Sequence, residues 1–390
     1  MMRQFATAGC PTADAGTLYA QSSAHHAAGG GPAVRIFVLV AVLSCCSAAA
    51  CTVKPPGDAV RVDRMAPAKS TLAEVLGFAP SDRILLIHAD DLGLMSSVNE
   101  AARQLFGRGL LRSGSVLIPA PAAQEIIDMA AQDPAMDLGV HLAITSEWEN
   151  YKWRPVCGDV PSLVDDLGFL RPTMMRQFFM ARTEDVEKEF RAQIEAALRM
   201  HLVPSHMDAH MGAAFVRPSF FRVYLKLAAE YRIHPLLPRA EILGEQIGAG
   251  AVVLGWAFEP SYGRPARASG FPVLDHIVTE VDGVTLEERR RSYVRLLNDL
   301  PPGVTELLIH PALDDSTFRR GVVASNDTQV KRLADTSVFL DPDIAELIAT
   351  LGIRLTSWRD IVSAEAATGG QTWRSAATRR EAGVTADGRP

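Results

Sequence analysis

The chain has 390 residues, of which 48% are hydrophobic and 22% charged, and its formal net charge is -6. This length is ample for one large domain or two smaller ones. The mildly acidic balance and the lack of a Lys/Arg-rich run argue against a nucleic-acid partner. The triplet Arg289 to Arg291 falls in an amphipathic helical pattern, where a solvated helix face is the expected place.

The first 51 residues have the pattern of an export leader. Arg35 precedes the short apolar run IFVLVAVL, and three alanines stand before Cys51. The run is too short to span a bilayer as a stable helix, and the small residues ahead of Cys51 are similar to a bacterial lipobox. We therefore expect an exported protein, anchored to the membrane only by lipid on Cys51, in the bacterial periplasm or at the cell surface.

Three further regions follow the leader. Residues 52–71 are Pro-rich and polar, as expected of a flexible linker that holds a domain off a membrane, although a merely disordered terminus is the alternative. Residues 72–365 have the pattern of a folded domain, and residues 366–390 are expected to form an unstructured tail.

From residue 72 onward, short β-rich runs alternate with amphipathic helical segments. The apolar run Ile84 to Ile87 is typical of a buried strand. Further strands are predicted within 113–121, 136–144, 203–210, 232–237, 305–310 and 353–356, and helices within 98–105, 122–131, 183–198, 220–231, 286–300 and 344–351. Repeated βα units over roughly 300 residues predict an α/β protein with a single (β/α) barrel of distorted TIM type, in preference to an open doubly wound sheet.

Two adjacent carboxylates, Asp90 and Asp91, follow the first predicted strand. Successive side chains on a strand point to opposite faces, so the pair can share a site only if the chain already turns there, as Gly93 suggests. Such a pair at the C-terminal end of a parallel strand suits metal chemistry. Capping of the next helix is the alternative, since Asp is a favoured N-cap.

Histidine and aspartate recur at the ends of later predicted strands. These residues are His141, then His206, Asp208 and His210, then His310. A parallel barrel builds its active site from such strand ends. Imidazole and carboxylate together suit zinc and related divalent ions, and a His/His/Asp set leaves positions for water and substrate. A lone strand-end His is more often a packed residue, but four such ends favour a metal site.

These motifs resemble the YdjC-like carbohydrate deacetylases. The resemblance is carried, in the family's order, by HADDLGLMSSVNEAARQLFGRGLLRSGSVLIPAP, LGVHLAIT, SHMDAH and ELLIHPALDD. It implies a distorted barrel and hydrolysis of a linear amide bond, with N-acetyl groups removed from amino sugars or oligosaccharides. The implied cofactor is Mg²⁺ or Zn²⁺, the implied substrate is an N-acetylated sugar, and a homodimer is left open.

The resemblance also implies a role for each matched residue. Asp91, His141 and His206 would hold the metal. Asp90 would be the general base toward the attacking water, and His310 the acid that protonates the leaving amine.

Asp208 and His210 are expected beside the metal ligands, with Asp208 orienting a ligand imidazole through its free N–H.

Two positions depart from the family pattern. His88 stands where the family commonly has Asn, which leaves the hydrogen bonding around the Asp pair open. Gly212 stands where many members have a further His, which leaves the role of His210 open.

Substrate contacts are predicted at aromatic and basic residues of two later segments. Trp148 follows the second motif, and Trp256, Tyr262 and Arg264 lie in GWAFEPSYGRP, a segment that could stack on a sugar face. Ordinary anchoring of loops is the alternative.

Two other functions fit part of the pattern. The same ligands would serve a metal-dependent hydrolase of another bond, although no P-loop or phosphate-binding Arg cluster supports a phosphoester. A non-catalytic, glycan-binding surface lipoprotein is the second alternative. The intact Asp90, Asp91, His141 and His206 argue against it, because a relic site is free to lose ligands.

Overall fold

The computed structural model of the protein describes residues 71–239, 259–322 and 326–367. The predicted leader, nearly all of the predicted linker and tail, and Trp256 lie outside the described residues. Within the described ranges, no helix combines the length and the apolar character that a bilayer crossing requires.

Parallel strands of the described chain form one curled sheet. They are β1 (Arg83–Leu92), β2 (Ser113–Val116), β3 (Leu138–Leu142), β4 (His206–Ala209), β5 (His234–Pro235), β6 (His276–Val278), β7 (Gly303–Ile309) and β8 (Arg354–Leu355). The order is β5-β4-β3-β2-β1-β7-β6, and β8 pairs with the first part of β1. A parallel bridge between Pro238 and Leu274 brings the two edges together. The predicted distorted (β/α) barrel is confirmed.

Helices follow most of the strands. They are α1 (Leu72–Val75), α2 (Ser96–Gly107), α3 (Ala123–Gln132), α4 (Met174–Met180), α5 (Thr183–Arg199), α6 (Pro218–Tyr231), α7 (Arg264–Ser269), α8 (Leu286–Asn298), α9 (Ser316–Gly321), α10 (Asn326–Leu340), α11 (Pro342–Thr350) and α12 (Trp358–Ala367). Every residue of β1 from Ile84 to Leu92 is buried, which is typical of a parallel strand covered on both faces.

A small apolar cluster lies near the starts of the central strands. It groups the fully buried Trp358 with Ile84 and Leu86 of β1 and with Val304 of β7. The opposite, C-terminal ends of the strands carry the buried side chains of Asp90, Asp91 and His141.

The backbone bends where β1 carries its two carboxylates. The β1–β2 register is irregular between Ala89 and Leu92, and Asp91 has a φ of 61°, in the left-handed region that Asp tolerates better than most residues. Gly93 follows with a φ of 85°, and a Cβ there would lie 2.8 Å from Cα of Ala123. This bend releases Asp91 from the strict alternation of a strand, so that it can share a site with Asp90.

Several elements were not predicted from the sequence, namely helices α1, α4, α7, α9, α10 and α12 and strand β6. Helix α10 was missed because its buried face carries polar residues such as Arg332, Asp335 and Thr336 that hide the apolar period. The solvated face expected for the arginine triplet is wrong for Arg289. Its guanidinium is buried and pairs with Asp335 at 2.6 Å.

Candidate active site

Buried polar side chains from three strands meet at the C-terminal side of the sheet. Asp90 and Asp91 come from the end of β1, His141 from β3, and Asp208 from β4. His210 begins the short 3₁₀ segment that follows β4. All of them are at most 7% exposed. These are the strand ends at which the sequence predicted chemistry.

Three potential ligand atoms face one another in this cluster. Oδ1 of Asp91 lies 3.3 Å from Nε2 of His141 and 3.0 Å from Nδ1 of His210, and the two nitrogens are 3.3 Å apart. Neither contact to Oδ1 has hydrogen-bond geometry, so this buried oxygen is left without a donor. Ligands about 2.0–2.2 Å from a divalent ion are separated by roughly 2.8–3.6 Å at octahedral or tetrahedral angles. The three atoms therefore fit one face of a metal coordination shell.

Each imidazole of this triangle is oriented by a carboxylate on its other nitrogen. Nδ1 of His141 donates to Oδ1 of Asp208 over 2.6 Å, and Ser115 donates to the second oxygen of Asp208 over 2.8 Å. Nε2 of His210 donates to Glu147 over 3.0 Å. This fixes the tautomers so that both remaining nitrogens can present lone pairs to the triangle, the usual arrangement of metal-binding histidines. Asp208 thus makes the contact that its predicted orienting role requires.

The third member, Asp91, is oriented by an arginine. The guanidinium of Arg332 on α10 donates to Oδ2 of Asp91 and lies over the Trp148 ring, with Cζ 5.1 Å from the ring centroid. Burial alone would raise the pKa of Asp91, but Arg332 and His210 bring this pKa well below its usual range. Asp91 is therefore a carboxylate, with one oxygen paired and the other facing the imidazoles.

The field at the triangle favours positive charge. Burial alone would lower the pKa of both imidazoles, yet the surrounding carboxylates raise the pKa of His141 well above its usual range and that of His210 to about 9. Two protons or one divalent cation would both satisfy such a field. The residues present thus fit a divalent ion in geometry and in charge.

His206, the third ligand predicted from the sequence, lies in a different group of buried donors with His88 and Asp208. Its Nε2 is 2.8 Å from Nε2 of His88, and its Nδ1 is 2.8 Å from Oγ of Ser205. Its ring stacks on Trp358, with centroids 5.2 Å apart and planes at 14°. Burial and the charge on His88 lower the pKa of His206 well below its usual range. His206 is thus a neutral ring with both nitrogens in hydrogen bonds.

Asp90 lies between two histidines. Nδ1 of His88 donates to Oδ1 of Asp90 over 2.9 Å, and Nε2 of His310 is 3.9 Å from Oδ2. The His310 side chain is 31% exposed, and its backbone N–H donates to Asp335 over 3.2 Å. Burial alone would lower the pKa of His88, but its bond to Asp90 and the nearby carboxylates raise it to about 9. Asp90 therefore lies next to the buried cationic ring of His88 and near the partly exposed ring of His310.

The residues predicted to contact substrate are placed variously. Trp148 is 2% exposed beneath Arg332. Tyr262 is buried against Phe221, with ring centroids 5.2 Å apart, while Arg264 is exposed. Trp256 lies outside the described residues. Their roles toward substrate stay predictions.

Comparison with known proteins places the chain in a family. The family model described as YdjC-like protein matches residues 84–350, which include all the residues of the triangle and both histidines next to Asp90. The chain belongs to the YdjC-like family. The family suggested by the sequence motifs is thereby confirmed.

Relatives within the YdjC-like family share most of the domain. A protein of Thermus thermophilus named carbohydrate deacetylase is 37% identical over 242 residues, which are 62% of this chain and 82% of that protein. A carbohydrate deacetylase of Geobacillus stearothermophilus is 28% identical over 279 residues, covering 71% of this chain and 98% of its own length. A crystal structure of a candidate cellobiose-phosphate cleavage protein from Enterococcus faecalis has a TM-score of 0.57 at 21% identity, covering 72% of this chain and 99% of that one, and shows a shared fold.

Several residues of this YdjC-like site escaped the sequence analysis. Ser115 contacts His141 and Asp208, and Glu147 accepts a hydrogen bond from His210. Arg332 donates to Asp91, and Asp335 accepts the backbone N–H of His310. Ser115 and Glu147 lay within or beside quoted motifs, but their residue types carry no metal-site signal by themselves. Arg332 and Asp335 are spaced i, i+3 on one helix face, a signal that required recognising α10 as a helix.

Proposed function

We propose that the protein is a metal-dependent carbohydrate deacetylase that removes N-acetyl groups from amino sugars or oligosaccharides. Both relatives described above are named carbohydrate deacetylase, and this chain spans at least 82% of each. The observation that carries the metal dependence is the triangle of Asp91, His141 and His210, in which a buried carboxylate oxygen without a donor faces two oriented imidazoles.

Asp91, His141 and His210 are the proposed ligands. A divalent ion held there would polarise the amide carbonyl and acidify the attacking water. We prefer His210 to His206, because Nδ1 of His210 faces Oδ1 of Asp91 at 3.0 Å, whereas the two nitrogens of His206 contact His88 and Ser205, which lie outside the triangle. Two imidazoles and one carboxylate suit zinc or a similar transition ion better than magnesium.

Asp90 is the proposed general base. It adjoins Asp91 in the chain, it is 7% exposed, and only Oδ1 of its two oxygens accepts the hydrogen bond from His88. Oδ2 is the oxygen that would take the proton of the attacking water. Asp91 is unsuited to this task, because Arg332 and the imidazoles hold it ionised.

His310 is the proposed acid. Its Nε2 lies 3.9 Å from Oδ2 of Asp90 and its side chain is partly exposed, so it can reach a substrate placed over the pair. In the proposed reaction, water adds to the amide carbon and Asp90 takes its proton. The C–N bond then breaks, and His310 gives a proton to the departing amine, which leaves acetate and a free amino sugar.

The proposed sugar site is a cleft between segments that follow four of the strands, and none of the triangle residues lines it. It has a volume of about 280 Å³ and is lined by side chains from the segments that follow β1, β2, β3 and β7, among them Met95, Glu125, Tyr151 and Asp315. This mixture of apolar, aromatic and carboxylate surface can contact both the faces and the hydroxyls of a sugar ring.

The test is acetate release from a panel of N-acetylated mono- and oligosaccharides by the full-length protein loaded with Zn²⁺ or Mg²⁺. Asp90→Asn and Asp91→Asn form a matched pair, because the same change is made at neighbouring positions. Asp90→Asn should keep its metal while the rate falls by roughly two to four orders of magnitude. Asp91→Asn should lose metal, and excess metal should restore part of its rate.

Two results would count against the proposal. If the metal-loaded protein released no acetate from any member of the panel, the activity would be excluded. If Asp90→Asn were the variant that loses metal and recovers with excess metal, the roles within the pair would be reversed.

A further inference from the structure

We propose that His88 is a positioning residue that fixes the Asp90 carboxylate as proton acceptor, and that His206 holds His88 in place for this purpose. The inference rests on the proposed function of Asp90, and it concerns two histidines that the proposed reaction does not otherwise use.

The contact between His88 and Asp90 follows from their spacing. Residues i and i+2 of a strand share a face, so the two side chains project from β1 on the same side. Nδ1 of the fully buried His88 donates to Oδ1 of Asp90 over 2.9 Å. Among the described residues, this is the side-chain hydrogen bond that Asp90 accepts, since His310 stands farther off at 3.9 Å. The Oδ1 bond thus sets which oxygen faces the substrate.

His88 is positioned in turn by a hydrogen bond to a second histidine. Its Nε2 is 2.8 Å from Nε2 of His206, a residue of β4, which is three places from β1 in the sheet. The rings meet across the barrel interior, over strands that carry small residues there. At Gly139 of β3, an added Cβ would lie 2.6 Å from Cε1 and Nε2 of His206. The space for this histidine pair therefore depends on the absence of a side chain at that position.

His206 has little freedom to move. It stacks on Trp358, hydrogen-bonds Ser205, and is 0% exposed. A run of three hydrogen bonds thus leads from Asp90 through His88 and His206 to Ser205. A base acts well only if it is held in the productive geometry by a supporting shell.

Two substitutions of His88 form a matched pair, because the family commonly has Asn at this position. Asn, common at this position in the family, can place its Nδ2 near the Nδ1 position of His88 and donate to Asp90, but it is too short to reach His206. Gln places its amide nearer the Nε2 position, where it can bond His206 but not Asp90. His88→Asn and His88→Gln therefore separate the two contacts of one ring.

The kinetic test uses the full-length, metal-loaded protein and an N-acetylated sugar that it cleaves. His88→Asn should keep kcat within several-fold of the wild type. His88→Gln should lower kcat by about 10–100-fold, the typical effect of losing an orienting partner, with KM and metal content nearly unchanged. The proposal would be overturned if His88→Gln kept full kcat, or if both variants lost it equally.

A second readout does not need activity. In protein labelled with ¹⁵N-histidine, the Nδ1–H proton of His88, identified by its loss in His88→Asn, should resonate far downfield and shift in Asp90→Asn. Absence of a response to Asp90→Asn would overturn the contact itself. If the wild type released no acetate but this signal responded, the proposed function would fail while the His88–Asp90 contact stood.

Discussion

At the scale of single residues, the site depends on a division of work between the two oxygens of Asp91. Oδ2 pairs with Arg332, which keeps the group ionised, and Oδ1 faces His141 and His210 with no donor of its own. The Arg332 contact satisfies Oδ2 of Asp91, whereas Oδ1 is buried without a hydrogen-bond donor. An unpaired buried charge is costly, so the site gains stability when a cation arrives.

This arrangement predicts which histidine matters for metal binding. His210→Ala should weaken the Kd for Zn²⁺ by more than roughly 100-fold, because even partners outside the ligand set commonly cost 10–100-fold. His206→Ala should weaken it less, and His276→Ala, at a histidine of β6 remote from the cluster, should not change it. Isothermal titration and metal content after dialysis measure this. Stronger metal loss in His206→Ala than in His210→Ala would instead support the ligand set implied by the family resemblance, which is Asp91, His141 and His206.

The sequence pattern does not distinguish His206 from His210 as a metal ligand. His206, Asp208 and His210 alternate along one strand pattern, so their spacing predicts a common face and a common site. What separates them is their position along the chain: His206 is the first residue of β4, whereas His210 follows its last residue, just before the turn at Met211 and Gly212, which both have positive φ. The positions of the strand ends were predictable from the hydrophobic periodicity. The turn after His210 and the polar inner face of α10, which supplies Arg332, were not predictable in this way.

At the scale of elements, β7 and α12 share a buried carboxyl. Oε1 of Glu306 on β7 accepts Nε1–H of Trp358 on α12 over 2.9 Å, while Oε2 is buried without a partner. Burial raises the pKa of Glu306 to about 7, although the charge of His88 and the Trp358 bond oppose this. The junction between the sheet and its last helix is therefore sensitive to pH.

The sign of this dependence follows from linkage. The folded-state pKa of Glu306 exceeds the unfolded value of 4.5, so its contribution to stability is complete below about pH 4.5 and is lost as the pH rises to about 7. In Glu306→Gln, the amide oxygen can still accept from Trp358 and no charge forms. The free energy of unfolding of the variant should therefore gain on the wild type over this range, by at most about 3 kcal/mol. Urea unfolding from pH 4.5 to 8 measures the difference.

Glu346→Gln, at an exposed residue of α11, is the control and should show no such trend. A difference between Glu306→Gln and the wild type that stays constant with pH would mean that Glu306 ionises normally in the folded protein.

At the scale of the whole molecule, we propose separate tasks for the described domain and the predicted leader. The domain contains the YdjC-like match and the site, and its described helices are not suited to crossing a bilayer. The apolar run and Cys51 lie before it in the sequence. We propose that the protein is exported and held at the membrane by lipid on Cys51, with the segment up to residue 71 as its tether.

Mass spectrometry of the mature N-terminus tests this location. The expected first residue is a lipid-modified Cys51, and Cys51→Ala should move the protein from the membrane fraction to the soluble exported fraction. Cys45→Ala is the matched control and should leave the protein at the membrane. An uncleaved leader in the cytoplasm would exclude export, and a different unmodified first residue would exclude the anchor.

The closure of the barrel is uneven, and this has a mechanical consequence. β1 and β7 pair over seven residues, whereas within the described chain the opposite edges meet at the Pro238–Leu274 bridge, with one backbone hydrogen bond from Leu274 N–H to Leu237 and the side-chain pair Arg239–Asp275. Local opening costs least where few backbone bonds must break. Among the described residues, the barrel is therefore stiffest at β1 and β7, which lead to Asp90, Asp91 and His310, and has fewer backbone hydrogen bonds at the opposite seam. If the protein acts as proposed, opening of the described barrel at that seam would let a bulky glycan enter or leave without moving Asp90 and Asp91.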